Sequence, residues 1–190
     1  MPIYTPTVAA PNPVTGRYFH TASPSAAATS ASLSNGVLRL TAWRVERAIA
    51  VDRLGAEVTS AGDAGSLLRI GVYADTGNSY PGALILDAGT IAGDSATVQD
   101  ITGLTLTLAP GIYWIGGAVQ LVTVTQPTVR ILGSVYTCPV PLGSTSISAG
   151  QAVHGFSQSS VTGALPSTFT SSVTTLGAGV CPRIHARVAT

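Results

Sequence analysis

Three histidines and abundant serine raise the question of nucleophilic catalysis. His20, His154 and His185 lie in three separate segments of the chain. A Ser–His–Asp triad is defined by geometry around one positioned serine, and the sequence has no Gly-x-Ser-x-Gly turn to present one. His185 stands between Arg183 and Arg187 on a predicted strand, where we expect a surface or interface residue. The residues therefore predict no hydrolytic triad.

Paired carboxylates are the second chemistry to consider, because two of them can hydrolyse a glycosidic bond. Glu46 and Glu57 are the only glutamates, and neither has aromatic-rich surroundings. Asp52 and Glu57 are five residues apart, so they face opposite sides of a regular strand, and only a bulge would bring them together. We predict no catalytic residues and expect a protein that is not an enzyme.

Metal and cofactor sites also find little support in the sequence. Asp75, Asn78 and Asp87 offer oxygen ligands suited to calcium. Their spacing matches no EF-hand, and turn chemistry accounts for the first two. There is no phosphate-binding loop and no dinucleotide fingerprint. Cys138 and Cys181 have no histidines at zinc-site spacing. We predict neither a metal nor a cofactor.

Cys138 and Cys181 leave two arrangements open. Each precedes a proline, and the two form either one disulfide or two buried thiols. The N-terminus lacks a basic stretch followed by an apolar run, so we expect no signal peptide and assembly in a reducing cytosol. A particle that later left the cell could still oxidise the pair.

Neighbouring aromatic residues give the best local indication of a binding surface. Tyr113 and Trp114 are adjacent, and adjacent residues of a strand point to opposite faces. A two-sheet sandwich buries one face of each sheet, so one of the pair is predicted to face outward. With Tyr80, the pair forms the predicted binding or assembly surface, which could stack on a sugar or contact another subunit.

Charge is scarce and unevenly distributed. Charged residues make up 9% of the chain, against roughly 25% in an average soluble domain. All eight acidic residues lie between Glu46 and Asp100, and the second half carries only Arg130, Arg183 and Arg187. Because interface cores are depleted of charge, the second half is predicted to face protein partners. A net charge of +1 without a basic patch argues against nucleic acid.

The stretch from Ile101 to Val129 carries no charge, as a membrane span would, but its pattern is that of strands. Leucine alternates with threonine before Ala109-Pro110-Gly111 breaks the run. We predict no membrane insertion. Instead, Leu104 to Val124 is predicted to form a β-hairpin around that Pro-Gly turn.

Period-two alternation recurs along the rest of the chain. Strands are predicted from Gly36 to Trp43 and from Arg47 to Thr59, and the change of apolar parity in the second indicates a bulge near Asp52-Arg53. Arg183 to Val188 is the predicted closing strand. No segment shows a convincing helical period. The sequence therefore predicts an all-β, jelly-roll-like antiparallel β-sandwich.

Two regions differ in composition from the predicted strands. Residues 1–30 are rich in proline, alanine, serine and threonine and are predicted to form an extended N-terminal arm. The sandwich domain then covers 31–190. Within it, 133–180 is a Ser/Thr/Gly-rich excursion, with short strands expected near Val153–Phe156 and Phe169–Val173. Long excursions of this kind are usually functional or interfacial.

Three segments resemble a known class of proteins. They run from Leu68 to Asp75, from Tyr80 to Leu84 and from Leu106 to Trp114. They are similar to β-sandwich domains of tailed-bacteriophage virion proteins, such as minor tail proteins, tail fibres and head decoration proteins. The resemblance covers about half the chain and carries no active-site residues.

This resemblance implies a structural component exposed on the virion, in the tail or decorating the capsid. It implies assembly in the host cytoplasm with other virion proteins, and a homo-oligomer that is often a trimer. The alternative function is a receptor- or carbohydrate-binding adhesin domain of a tail fibre, with a host-surface glycan as its ligand.

Overall fold

The structure is a computed structural model that describes residues 13–20, 29–131, 153–171, 173–176 and 181–189. These residues form thirteen β-strands and no helix. The strands are β1 (Tyr18–His20), β2 (Thr29–Ser32), β3 (Leu38–Val45), β4 (Ile49–Ser60), β5 (Leu67–Asp75), β6 (Pro81–Ala92), β7 (Val98–Ile101), β8 (Leu106–Leu108), β9 (Gly111–Gln120), β10 (Thr128–Ile131), β11 (Val153–Gln158), β12 (Val173–Leu176) and β13 (His185–Val188).

The strands form two antiparallel sheets that pack against each other. The first sheet has the order β1-β13-β4-β10-β2, with β7 and β8 also paired to β4. The second has the order β12-β11-β3-β9-β5-β6. The predicted all-β sandwich is confirmed, and the finer jelly-roll description stays a prediction. No helix among the described residues is long and apolar enough to cross a membrane.

The bulge predicted in the long strand β4 is confirmed. Arg187 of β13 lies opposite Arg53, whereas the next residue, Val188, lies opposite Val51. Asp52 is therefore the extra residue of β4. An extra residue switches which side of the strand faces inward, which explains the parity change in the apolar pattern.

The hairpin predicted around Pro110 is wrong. Leu106 and Leu108 lie on β8, which pairs with β4 of the first sheet. β9 begins at Gly111 and pairs instead with β3 and β5 of the second sheet. The Ala109-Pro110 turn therefore carries the chain from one sheet to the other. Alternation identified both strands correctly, but it says nothing about which strand each one pairs with.

The main core lies between the sheets and draws on both. It includes Leu54 and Val58 of β4, Ile70 and Val72 of β5, and Ile115 of β9, all at most 1% exposed. The closing strand β13 alternates as predicted, with Ala186 and Val188 buried. Burying these aliphatic side chains supplies most of the stabilisation, roughly 25 cal/mol per Å² of apolar surface.

A third layer covers the outer face of the second sheet. Residues 159–171, which we call the strap, cross that face, and Val161, Leu165 and Phe169 of the strap are buried against it. The strap and β11 lie within the predicted excursion 133–180. Of the two short strands predicted there, Val153–Phe156 matches β11, whereas Phe169–Val173 is wrong over 169–171, which belong to the strap, and β12 begins at Val173. The second sheet is thus buried on both faces, which explains the nearly continuous apolar runs of β5 and β9.

Part of the predicted arm 1–30 contributes to the sandwich. β1 pairs with β13, and the ring of Phe19 lies 5.8 Å from that of Trp43. Thr29 and Ser30 begin β2, which pairs with β10. Residues 1–12 and 21–28 of the arm lie outside the described residues.

Candidate functional site

The aromatic pair at the start of β9 points to opposite faces, as predicted, but neither side chain projects freely into solvent. Tyr113 packs against the main core. Trp114 has no exposed surface, because Phe156 and Phe169 cover its face of the sheet. The prediction that one of the pair faces outward is therefore wrong. It assumed two layers, whereas the strap supplies a third.

The polar atom of each predicted surface aromatic also forms a hydrogen bond within this chain. The Trp114 Nε1–H donates to Asp75 Oδ1 at 2.8 Å. The Tyr80 hydroxyl donates to the Ser171 carbonyl of the strap at 2.6 Å, and the Tyr113 hydroxyl donates to the Ala109 carbonyl at 3.0 Å. These side chains anchor the third layer and a turn, so they are poorly placed to stack on a ligand.

The strap is fixed to the second sheet along its whole length. The Gln120 side-chain amide donates to the carbonyls of Val161 and Gly163 at 2.9 and 2.8 Å. The buried Tyr73 hydroxyl donates to the Pro166 carbonyl at 2.9 Å. Further along, the Phe169 backbone N–H donates to the Gly82 carbonyl at 2.9 Å. Burial raises the pKa of Tyr73, which keeps its hydroxyl protonated as a donor.

The bulge brings Asp52 and Glu57 to the same outer face of the first sheet, which a regular strand would not do. Each carboxylate there meets an arginine in a two-pronged pair. Arg187 Nε donates to Asp52 at 2.8 Å, with a second bond from its Nη2. Arg130 donates to both Glu57 oxygens at 2.9 and 2.7 Å.

These arginines decide what the two carboxylates can do. The hydrogen bonds from Arg187 and Arg130 hold the pKa of Asp52 and the pKa of Glu57 below their ordinary values. A carboxyl that is ionised at neutral pH cannot donate a proton to a leaving group. The arrangement therefore suits bracing of the sheet rather than glycoside hydrolysis.

Asp87 and Asp100 each lie beside an arginine and each accept a further hydrogen bond from another segment of the chain. Arg69 Nη2 lies 2.9 Å from Asp87 Oδ2, and the same carboxylate accepts the Leu165 backbone N–H of the strap at 3.1 Å. Asp100 accepts a hydrogen bond from the Tyr18 hydroxyl, and Arg53 lies 3.8 Å away. Asp100 therefore links β7 to the edge strand β1.

Asp63 braces a loop rather than pairing with a cation. The Asp63 carboxylate accepts the backbone N–H groups of Thr123, Val124 and Thr125 at 2.7, 2.7 and 2.9 Å, and also the Thr123 hydroxyl at 2.9 Å. These four bonds hold the pKa of Asp63 far below its ordinary range. The carboxylate is thus fully used by the 121–127 connection between β9 and β10.

The remaining acidic residues also form hydrogen bonds or ion pairs within the chain. Asp75 Oδ2 accepts the Gly77 N–H at 2.6 Å, so it forms the turn predicted for it, and Asp94 accepts the Gly65 N–H at 2.7 Å. Glu46 lies 3.7 Å from Arg44 at the surface. Among the described residues, no group of three or more His, Cys, Asp or Glu side chains could hold a metal ion.

Taken together, the acidic residues share one property. Every charged residue of the sequence falls within the described ranges, and each acidic side chain contacts an arginine or a hydrogen-bond donor of the same chain. The arginines of the second half reach back to acids of the first, as Arg130 does to Glu57. Sequence spacing carried no signal for these pairs, which join residues 73 to 135 positions apart.

The structure also places the three histidines and one of the two cysteines considered as site residues. His20 on β1 lies directly opposite His185 on β13, whereas His154 lies on β11 of the other sheet. Cys181 is 1% exposed, with its Sγ 3.8 Å from the Leu40 carbonyl oxygen. Cys138 lies outside the described residues, so both arrangements of the cysteine pair remain open.

Comparison with known proteins gives no match: no family model, no curated protein and no solved structure is similar to this chain.

Proposed function

We propose that this chain is a non-enzymatic structural component of a bacteriophage virion, exposed on the tail or decorating the capsid, which acts through contacts between subunits. The phage assignment rests on the sequence resemblance of Leu68–Asp75, Tyr80–Leu84 and Leu106–Trp114. The structural role rests on the arrangement of charges described above.

One observation carries the structural role: the acidic side chains are all used inside the chain. A soluble monomer usually keeps mixed, solvated charge on its surface. Here most of the acids brace strands and loops, as in the Asp52–Arg187 and Glu57–Arg130 pairs. Four charged side chains are exposed: Arg17, Arg44, Glu46 and Asp94. The surface left to partners consists largely of small and neutral side chains, and surfaces of that kind lose little solvation energy when they are buried against protein.

The adhesin alternative has less support. It depended on an exposed aromatic side chain, and Trp114 is fully buried beneath the strap. Tyr80 and Tyr113 are partly exposed, but both hydroxyls are bonded to backbone carbonyls of this chain. A glycan site on this protein would have to use other residues.

Immunogold electron microscopy tests the virion proposal. Antibodies raised against the folded chain should label intact, purified phage particles at regular positions, and mass spectrometry of those particles should find this sequence. Antibody absorbed beforehand with the purified chain is the control. Particles that lack both label and peptide would overturn the proposal.

A further inference from the structure

The loop between β9 and β10 holds two large apolar side chains in water. Leu121 is 60% exposed and Val124 is 87% exposed. Single exposed aliphatic residues are ordinary on a protein surface. These two belong to one short loop, in which the third aliphatic residue, Val122, packs against the main core.

The backbone of this loop is strained at one of those two residues. Leu121 has φ of +59°, in the left-handed region that a bulky side chain rarely adopts. Such a conformation is strained for a residue other than glycine, and it persists only where the surroundings impose it. Backbone strain of this kind concentrates at sites with a function.

Two side chains from neighbouring connections, Asn35 and Asp63, impose this conformation by binding the residues that follow Leu121. Asn35 forms a reciprocal pair with Val122, donating to its carbonyl at 3.1 Å and accepting its N–H at 3.4 Å. Asp63 accepts the four hydrogen bonds from Thr123, Val124 and Thr125. The loop is thus fixed before any partner arrives, so binding would cost little ordering entropy.

The loop lies at one end of the sandwich, which we call the loop pole: residues 34–37, 61–66, 93–97 and 121–127. Gly62 donates to the Gly93 carbonyl and Asp63 donates to the Thr125 carbonyl, so these connections are neighbours. Its acidic residues are Asp63 and the exposed Asp94. Arg39, half-buried, follows the first segment of this pole by two residues, and its guanidinium donates to Ser34.

The opposite end has the reverse charge, and we call it the arginine pole: residues 13–17, 44–48 and 109–110. The Val188 N–H donates to the Arg17 carbonyl, which places 13–17 at the β4 start, far from Asp63. Arg17 and Arg44 are exposed there, with Arg47. The acids at this end are Glu46, which lies 3.7 Å from Arg44, and Asp75, whose neighbour Ala74 lies opposite Tyr113, so the arginines outnumber the acids by three to two. Ala109 and Pro110 add small exposed apolar surface.

We propose that the loop pole of one copy docks onto the arginine pole of a second copy, with Leu121 and Val124 at the centre of the contact. The charge of the two poles is complementary between copies, whereas two loop poles would bring Asp94 against Asp94. A contact between different surfaces is heterologous, so it generates a ring or an open row of subunits. This inference rests on the proposed structural function and gives that function its first specific interface.

Two variants, each altering one pole, test the geometry. The loop-pole variant carries Leu121→Ser and Val124→Ser, and the arginine-pole variant carries Arg17→Glu and Arg44→Glu. Ile85→Ser, at a 41% exposed position on edge strand β6, is the matched control. Sedimentation equilibrium of each protein alone, and of equimolar mixtures, measures association, and circular dichroism verifies that each variant is folded.

The head-to-tail contact predicts a particular pattern. Wild type and the Ile85→Ser control associate, and each pole variant alone associates at least about tenfold more weakly, equivalent to 1.4 kcal/mol. The mixture of the two variants forms a capped heterodimer, because each supplies the pole that the other lacks. If the arginine-pole variant still self-associates and mixing adds nothing, the head-to-tail contact is wrong. If both variants associate like wild type, the poles are not the interface, and only this inference fails.

Discussion

A single carboxylate, that of Asp63, fixes the loop that we place at the centre of an interface. Replacing it in Asp63→Asn keeps the shape but removes the charge and turns one acceptor oxygen into a donor, facing backbone N–H groups that need acceptors. We expect a lower melting temperature at pH 7, measured by circular dichroism. Asp94→Asn, which disturbs one hydrogen bond instead of four, should cost less.

The same residue predicts a pH dependence with a definite sign. The pKa of Asp63 is lowered in the folded state, so its contribution is complete above the unfolded value of about 3.9 and fades as the pH falls toward the folded value. The melting temperatures of wild type and Asp63→Asn should therefore differ fully at neutral pH and converge in acid. A gap that stayed constant down to pH 2, or widened there, would contradict this role for Asp63.

Leu121 makes a second prediction at the scale of one residue. Glycine adopts a positive φ without strain, so Leu121→Gly should leave the free energy of unfolding unchanged or raise it by up to about 1 kcal/mol. Association should weaken at the same time, because the apolar side chain is gone. A clear loss of stability in chemical denaturation would show that the fold needs Leu121, and the functional reading of its strain would then fail.

At the scale of elements, the strap matters most, because it buries the outer face of the second sheet. Phe169 is 2% exposed and packs edge-on against Tyr73, Tyr80 and Phe156. Phe169→Ala should lower the free energy of unfolding by about 3 kcal/mol, as expected for a buried phenylalanine. Hydrogen exchange should quicken in 161–171 in particular. Ile85→Ala, at an exposed position, serves as the control and should change neither quantity.

Tryptophan fluorescence gives an independent check of this third layer. Trp43 and Trp114 are 3% and 0% exposed, and they are the two tryptophans of the chain. Native emission should therefore be blue-shifted relative to the unfolded protein, and iodide should quench it weakly. Strong iodide quenching of the folded Trp43→Phe variant, in which Trp114 is the one tryptophan left, would mean that Trp114 faces solvent, as a two-layer sandwich requires.

The elements also show where sequence reasoning reaches its limit. Alternation located β8, β9 and β13, and the parity change located the bulge at Asp52, because side-chain direction is a local property of a strand. The partner of each strand is not local. Pro110 therefore marked a turn correctly but an incorrect hairpin, and the strap over Trp114 comes from residues some fifty positions away.

At the scale of the whole molecule, a sequence low in charge becomes a protein in which most charged side chains are partly buried. Composition predicted that the surface would be nearly neutral, and it predicted no metal, cofactor or catalytic residue. It could not predict that Glu57 pairs with Arg130 or that Asp63 clasps the 121–127 loop, because both contacts depend on the assembled sheets. The Asp63 contact is one of the observations that support the pair of poles we propose.

The mass of the purified wild-type chain, followed by sedimentation equilibrium over a broad concentration range at neutral pH, tests this account most directly. A neutral surface with two complementary poles predicts a mass above that of one chain that increases with concentration or settles at a closed ring. A mass equal to that of one chain at every concentration would contradict the central claim that this protein works by assembling.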